Sequence, residues 1–62
     1  MKKILLVEND QTLGSGLKEK LLHEYAVGWA LTLRDARQQL QGQAWDLVIL
    51  DVNLPDGSGF EL

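Results

Sequence analysis

The sequence predicts an α/β domain built on a small parallel sheet. Three observations carry that expectation: two short apolar runs that each end on acidic residues, segments of helical period between them, and short connections. The first run, Ile4-Leu5-Leu6-Val7, has no polar alternation, the pattern of a strand covered on both faces. It closes on Glu8-Asn9-Asp10. The second lies within Trp45 to Leu50 and reads as another buried strand, delivering Asp51 to a loop rich in proline and glycine. Open α/β sheets place their chemistry where strand ends run into such loops.

Between the runs the elements follow in order. Asp10 stands where a helix N-cap would be, able to accept a hydrogen bond from an orphan amide. Leu13, Leu17 and Leu21 recur every fourth residue, Leu22 and Tyr25 widen the stripe, and Lys18, Glu19 and Lys20 lie off it. This predicts an amphipathic helix from about Gln11 to Glu24. Gly14 and Gly16 each weaken it by up to about 1 kcal/mol relative to alanine, or else permit close approach to the sheet. Ala26 to Ala30 reads as a short strand interrupted by Gly28. Thr32 with Asp35 resembles a capping box with aspartate in place of glutamate. Leu33, Ala36, Arg37 and Leu40 give a second helical period, and Gly42 fits a C-terminal cap. The order β-α-β-α-β with short links implies parallel strands and right-handed crossovers. No repeat, low-complexity segment or linker interrupts it.

Composition narrows the function classes. Sixty-two residues make one small domain or a piece of one, with a marginal core. There is no cysteine for a disulfide and no Cys/His cluster for structural zinc. The formal charge is -3, and the basic residues fall in scattered pairs (Lys2/Lys3, Lys18/Lys20, Arg34/Arg37). That pattern argues against a nucleic-acid surface within these residues. The longest apolar runs fall far short of the roughly 20 residues that span a membrane. The segment after Lys2-Lys3 is too short for a signal peptide, so the cytoplasm is the default location.

If the first and third strands are parallel neighbours, Glu8-Asn9-Asp10 and Asp51 meet at one edge of the sheet. Carboxyl-type groups gathered there suggest a small cation-binding, anion-accepting site.

The residues also resemble a known family. Lys3-Ile4-Leu5-Leu6-Val7-Glu8 before a helix, Trp45-Asp46-Leu47-Val48-Ile49-Leu50-Asp51, then Leu54-Pro55 and Gly59, are similar to the N-terminal half of the receiver domain of bacterial two-component response regulators. The stretch Leu54 to Leu62 looks most like regulators with a winged-helix DNA-binding domain downstream. The resemblance implies a flavodoxin-like, doubly wound parallel sheet, of which residues 1–62 would be a single, incomplete β-α-β-α-β half. It implies Asp51 as the phosphoacceptor, taking a phosphoryl group from a sensor histidine kinase or a small phosphodonor. It implies Mg2+ as cofactor, held at Glu8, Asn9, Asp51 and the backbone carbonyl of Asn53. The module would accept a phosphoryl group rather than act as an enzyme, and its full-length parent would control transcription. Asn9 departs from the family's aspartate, keeping an oxygen ligand but removing a charge.

Other residues have plainer roles. Asp10 is expected to cap the helix; Pro55 and Gly59 to shape the loop, Gly59 by permitting unusual backbone geometry. His23 is expected at the end of the first helix and Trp29 and Trp45 as packing residues at strand starts. Lys18, Glu19 and Lys20 read as a solvated face, with a kinase-docking role implied by the resemblance alone. The third strand would be an exposed apolar edge, which invites a homo-oligomer in which two copies pair their third strands into a six-stranded sheet. A non-phosphorylated interaction fragment, using that strand and the first helix, is therefore the alternative function. A nucleotide-binding fragment fits poorly, since no Gly-rich loop follows the first strand.

Overall fold

The computed structural model describes residues 1–62. Its elements are β1 (Lys3–Val7), α1 (Gln11–Leu21), β2 (Ala26–Ala30), α2 (Leu33–Gly42), β3 (Leu47–Leu50), β4 (Asn53–Leu54), β5 (Gly57–Ser58) and a single 3₁₀ turn at Gly59–Glu61. The expected β-α-β-α-β order is present, followed by a small hairpin.

Strand β1 is central. It pairs parallel with β2 on one edge, Lys3 opposite Ala26 to Val7 opposite Ala30, and with β3 on the other, Ile4 opposite Leu47 to Val7 opposite Leu50. The first crossover steps outward from β1 and the second steps back past it. Two crossovers of one hand must then lie on opposite faces of the sheet. Alternate residues of β1 serve the two faces. Leu5 and Val7 join Ala30, Leu33, Ala36 and Leu54 in the core under α2, with Trp45 and Val48 at its margin. Ile4 and Leu6, also buried, face the α1 layer beside Trp29, which is level with Leu6. The apolar run without alternation is thus explained by two-sided cover.

Helix α1 begins where expected. Asp10 Oδ1 accepts from the Leu13 amide at 3.0 Å. It ends at Leu21 rather than Glu24, because the amides of His23 and Glu24 turn to carbonyls three residues back, Lys20 and Leu21. His23 therefore sits in the turn after the helix, exposed. Gly14 is buried against Trp29: a Cβ there would lie 2.3 Å from the indole Cζ2. The ring cannot easily yield, since its Nε1 donates to the Glu8 carbonyl at 2.9 Å. Gly16 has no such neighbour, so close approach accounts for Gly14 alone. Trp29 lies four residues into β2, not at its start, and serves α1 rather than the strand end.

Helix α2 is capped twice. Thr32 Oγ1 accepts from the Asp35 amide at 3.1 Å, the first half of the expected box. Asp35 does not reach back to the Thr32 amide; its carboxylate takes a 3.4 Å bond from Gln39 instead. The second cap comes from Asp56, whose two oxygens accept from the amides of Leu33 and Arg34 at 2.7 and 2.9 Å. These bonds, from Arg34 first and then Leu33, hold the Asp56 carboxyl below its ordinary range, against a smaller upward effect of desolvation and with some help from Arg37. At the other end Gly42 is the last helical residue and Gln43 is already extended, so Gly42 is no left-handed cap.

Strand β3 starts at Leu47, two residues later than expected. Trp45 turns its indole onto α2, Nε1 donating to the Gln39 carbonyl at 2.9 Å, while the Asp46 carboxylate accepts from the Lys3 amide at 2.7 Å. No residue of β3 is fully buried, because only β1 flanks it: Leu47 is 54% exposed and Leu50 37%. The expectation of a buried third strand fails for that reason, and the expectation of an exposed apolar edge holds.

Two outcomes check this packing. Gly14→Ala should destabilise the fold by about 1–3 kcal/mol through overpacking on Trp29, whereas Gly16→Ala should stabilise it by up to about 1 kcal/mol, both read by urea unfolding. Asp56 has a lowered folded-state pKa, so its contribution is complete above the ordinary carboxylate pKa and disappears as the pH falls through the lowered value. Acid unfolding of Asp56→Asn should therefore show a shallower loss of stability over that interval than the parent chain.

Candidate functional site at the carboxyl edge of the sheet

The ladders of β1 run one step beyond the strand on both sides. The Glu8 amide donates to the Ala30 carbonyl at 3.0 Å, and the Asp51 amide to the Val7 carbonyl at 2.8 Å. Glu8 and Asp51 are consequently the next pair after Val7 opposite Leu50, side by side at the carboxyl edge. This is also the point where the strand order reverses about β1, the crevice position of open α/β sheets.

Each carboxylate folds onto its own loop. Glu8 Oε1 accepts from the Asp10 amide at 3.0 Å, and Asp51 Oδ1 from the Asn53 amide at 3.1 Å. The second oxygen of each accepts no hydrogen bond from the protein, and both residues are half-buried. Asn9 is exposed and its Nδ2 donates to the Leu31 carbonyl at 3.0 Å, which leaves Oδ1 without a protein partner. Asn53 opens β4, opposite Ser58 in the hairpin, so its carbonyl belongs to the same loop as Asp51. Asp10 is committed to its cap through Oδ1, as expected.

The donor chemistry at this edge is all oxygen: two carboxylates, an amide and a backbone carbonyl. No group of three His, Cys, Asp or Glu side chains is gathered anywhere to hold a metal. A set with one or two carboxylates suits magnesium, which keeps several waters, better than zinc, which takes nitrogen and sulfur cages.

The loop that follows Asp51 is more structured than expected. Leu54 is buried in the core beside Leu33, and Asp56 caps α2. Gly57 has φ +154, a conformation that other residues adopt only with strain. Gly59 does not need an unusual φ; its role is space, since a Cβ would lie 2.6 Å from the Asp51 carbonyl oxygen. Ser58 and Glu61 form a reciprocal capping box that closes the 3₁₀ turn. The spacing Ser-x-x-Glu at 58–61 is a recognisable local signal for that box. Asp56 has no comparable signal, because its partners lie more than twenty residues away and become neighbours only in the folded chain.

No helix is long and apolar enough to cross a membrane. Comparisons with known proteins agree with the geometry. The description "Response regulator receiver domain" matches residues 4–62. The swarming motility regulation protein RssB of Serratia marcescens is 41% identical over 59 residues, covering 94% of this chain and 27% of RssB. The transcriptional regulatory protein PmrA of Pectobacterium parmentieri is 43% identical over 61 residues, covering 97% of this chain and 28% of PmrA. The chain thus spans little more than a quarter of these relatives. Among solved structures, the non-phosphorylated HemR receiver domain from Leptospira biflexa superposes with a TM-score of 0.91 at 48% identity, over 98% of this chain and 50% of that one. With its sheet order, its carboxyl-edge acids and its sequence all in agreement, the chain belongs to the response regulator receiver domain family.

Proposed function

We propose that the chain is a phosphoacceptor module of a two-component pathway, with Asp51 as the acceptor and a sensor histidine kinase as donor. The observation that carries this reading is the lateral pairing of Glu8 and Asp51 at the sheet edge, each with one carboxylate oxygen free of protein partners. An Asp51 oxygen attacks the phosphorus of a phosphohistidine; the O–P bond forms as the P–N bond breaks, and the imidazole nitrogen keeps the electron pair and takes up a proton. The chain is then a covalent acceptor in the pathway and not an enzyme with a substrate of its own. The names of relatives such as PmrA support an output in transcription, carried by segments outside these residues.

Glu8, Asp51, the Asn9 amide oxygen and the Asn53 carbonyl are the groups that would hold magnesium. When bound it would supply positive charge against the phosphoryl oxygens, where transfer depends on positioning and electrostatics. The protein's own share is to keep Asp51 oriented through the Asn53 amide and to hold Glu8 beside it.

A second reading rests on a separate observation, the unpaired outer edge of β3 with Leu47 and Leu50 exposed. Pairing of two such edges would make a self-associating fragment with a six-stranded sheet.

Intact-mass measurement after treatment with a small phosphodonor and magnesium should show one added phosphoryl group. It should be absent in Asp51→Asn and after chelation; addition to Asp51→Asn would contradict the assignment. Glu8→Gln, which removes one charge beside the cation and keeps the side-chain length, should weaken magnesium binding on the order of tenfold in a calorimetric titration. Sedimentation should show a dimer, and a monomer with a native-like spectrum would remove the second reading.

A further inference from the structure

The loops at the carboxyl edge are laced to one short segment. Residues 31 to 34, which lead from the end of β2 into the first turn of α2, bond to both of the other loops. Asn9 Nδ2 donates to the Leu31 carbonyl at 3.0 Å, so the loop after β1 is tied to one end of the segment. The Asp56 carboxylate spans the Leu33 and Arg34 amides at 2.7 and 2.9 Å, so the loop after β3 is tied to the other. The segment is itself held. Thr32 caps the helix, Leu33 is buried, and Leu54 from the β3 loop lies in the same core cluster.

We propose that residues 31–34 form the positioning frame of the cation site, with Asn9 and Asp56 as its two struts. This rests on the reading of Glu8 and Asp51 as a cation-binding pair. Asn9 is adjacent to Glu8, and Asp56 lies three residues beyond Asn53, so each strut fixes a loop that carries oxygen donors. The bond from Asn9 is one that a carboxylate could not make, because it has no N–H to give and would turn negative charge toward the Leu31 carbonyl. The amide at this position therefore gives up a unit of charge at the cation and gains a tie that orients its own oxygen. Asp56 touches no donor atom of the site; it is a positioning residue, acting through the loop. Partners that hydrogen-bond a metal ligand directly change affinity by about 10–100-fold when lost, and Asp56, one step further out, belongs at or below the lower end of that range.

The test is an amide-resolved NMR titration with magnesium chloride on the unaltered chain and on Asp56→Asn, at an ionic strength that screens the remote charge of Asp56. In the unaltered chain the amides of Leu33 and Arg34 and the Asn9 side-chain amide should shift in step with those of Glu8 and Asp51. Asp56→Asn keeps the side-chain volume but replaces one acceptor with a donor, and should weaken magnesium binding by about threefold to tenfold. Should that variant give a collapsed spectrum, the response of Leu33 and Arg34 in the unaltered chain decides alone. Shifts confined to Glu8, Asp51 and their neighbours, with Asp56→Asn binding as tightly as the parent, would overturn the frame and leave the phosphoacceptor reading standing. Absence of any shift at Glu8 and Asp51 would overturn both.

Discussion

Strand β1 is paired on both edges and covered on both faces, and every other feature of the molecule depends on that position. Its four residues from Ile4 to Val7 are the only consecutive buried run in the chain. Burial of four aliphatic side chains contributes roughly 6–12 kcal/mol of transfer free energy, an upper bound set against an extended chain. The same pairing decides the site. Because β1 contributes one carboxylate just past its end and β3 contributes another at the same level, the edge chemistry is a consequence of register. A slip of one residue would turn Asp51 to the other face.

The contribution of β3 is asymmetric. It gains hydrogen bonds and partial cover from β1, but its outer edge has no partner and its leucines remain partly exposed. The element that bears the proposed acceptor is thus held less firmly than the element that bears Glu8. What compensates is the loop beyond it. Leu54 plugs the core, Asp56 grips the start of α2, and the Ser58–Glu61 box closes the chain into a compact turn. Asp51 is anchored from behind by the segment that follows it in sequence.

Most of the fold was legible because its determinants are local. The unalternating run at Ile4–Val7, the leucine period of α1 and the caps at Asp10 and Thr32 are all read from neighbours within a turn or a strand. The errors have equally physical causes. Helix α1 stops three residues early because its final amides tighten to carbonyls three residues back. Trp45 leaves the strand register to donate to Gln39. Gly59 is required for space against the Asp51 carbonyl and not for its φ, which no local pattern distinguishes. At the site, Glu8 and Asp51 were legible as strand-end carboxylates. The bond of Asn9 to Leu31 and the grip of Asp56 on α2 were not, since each joins residues more than twenty positions apart.

On the proposed reading, register brings Glu8 and Asp51 together as one oxygen-lined cation site. Paramagnetic broadening by manganese, a magnesium surrogate with the same preference for oxygen, tests it most directly when read on every amide of the 62-residue chain. The amides of residues 8–10 and 51–53 should broaden first and together, well below one equivalent. Broadening spread evenly over Glu19, Glu24, Asp35 and Asp46, or confined to only one of the two loops, would contradict it.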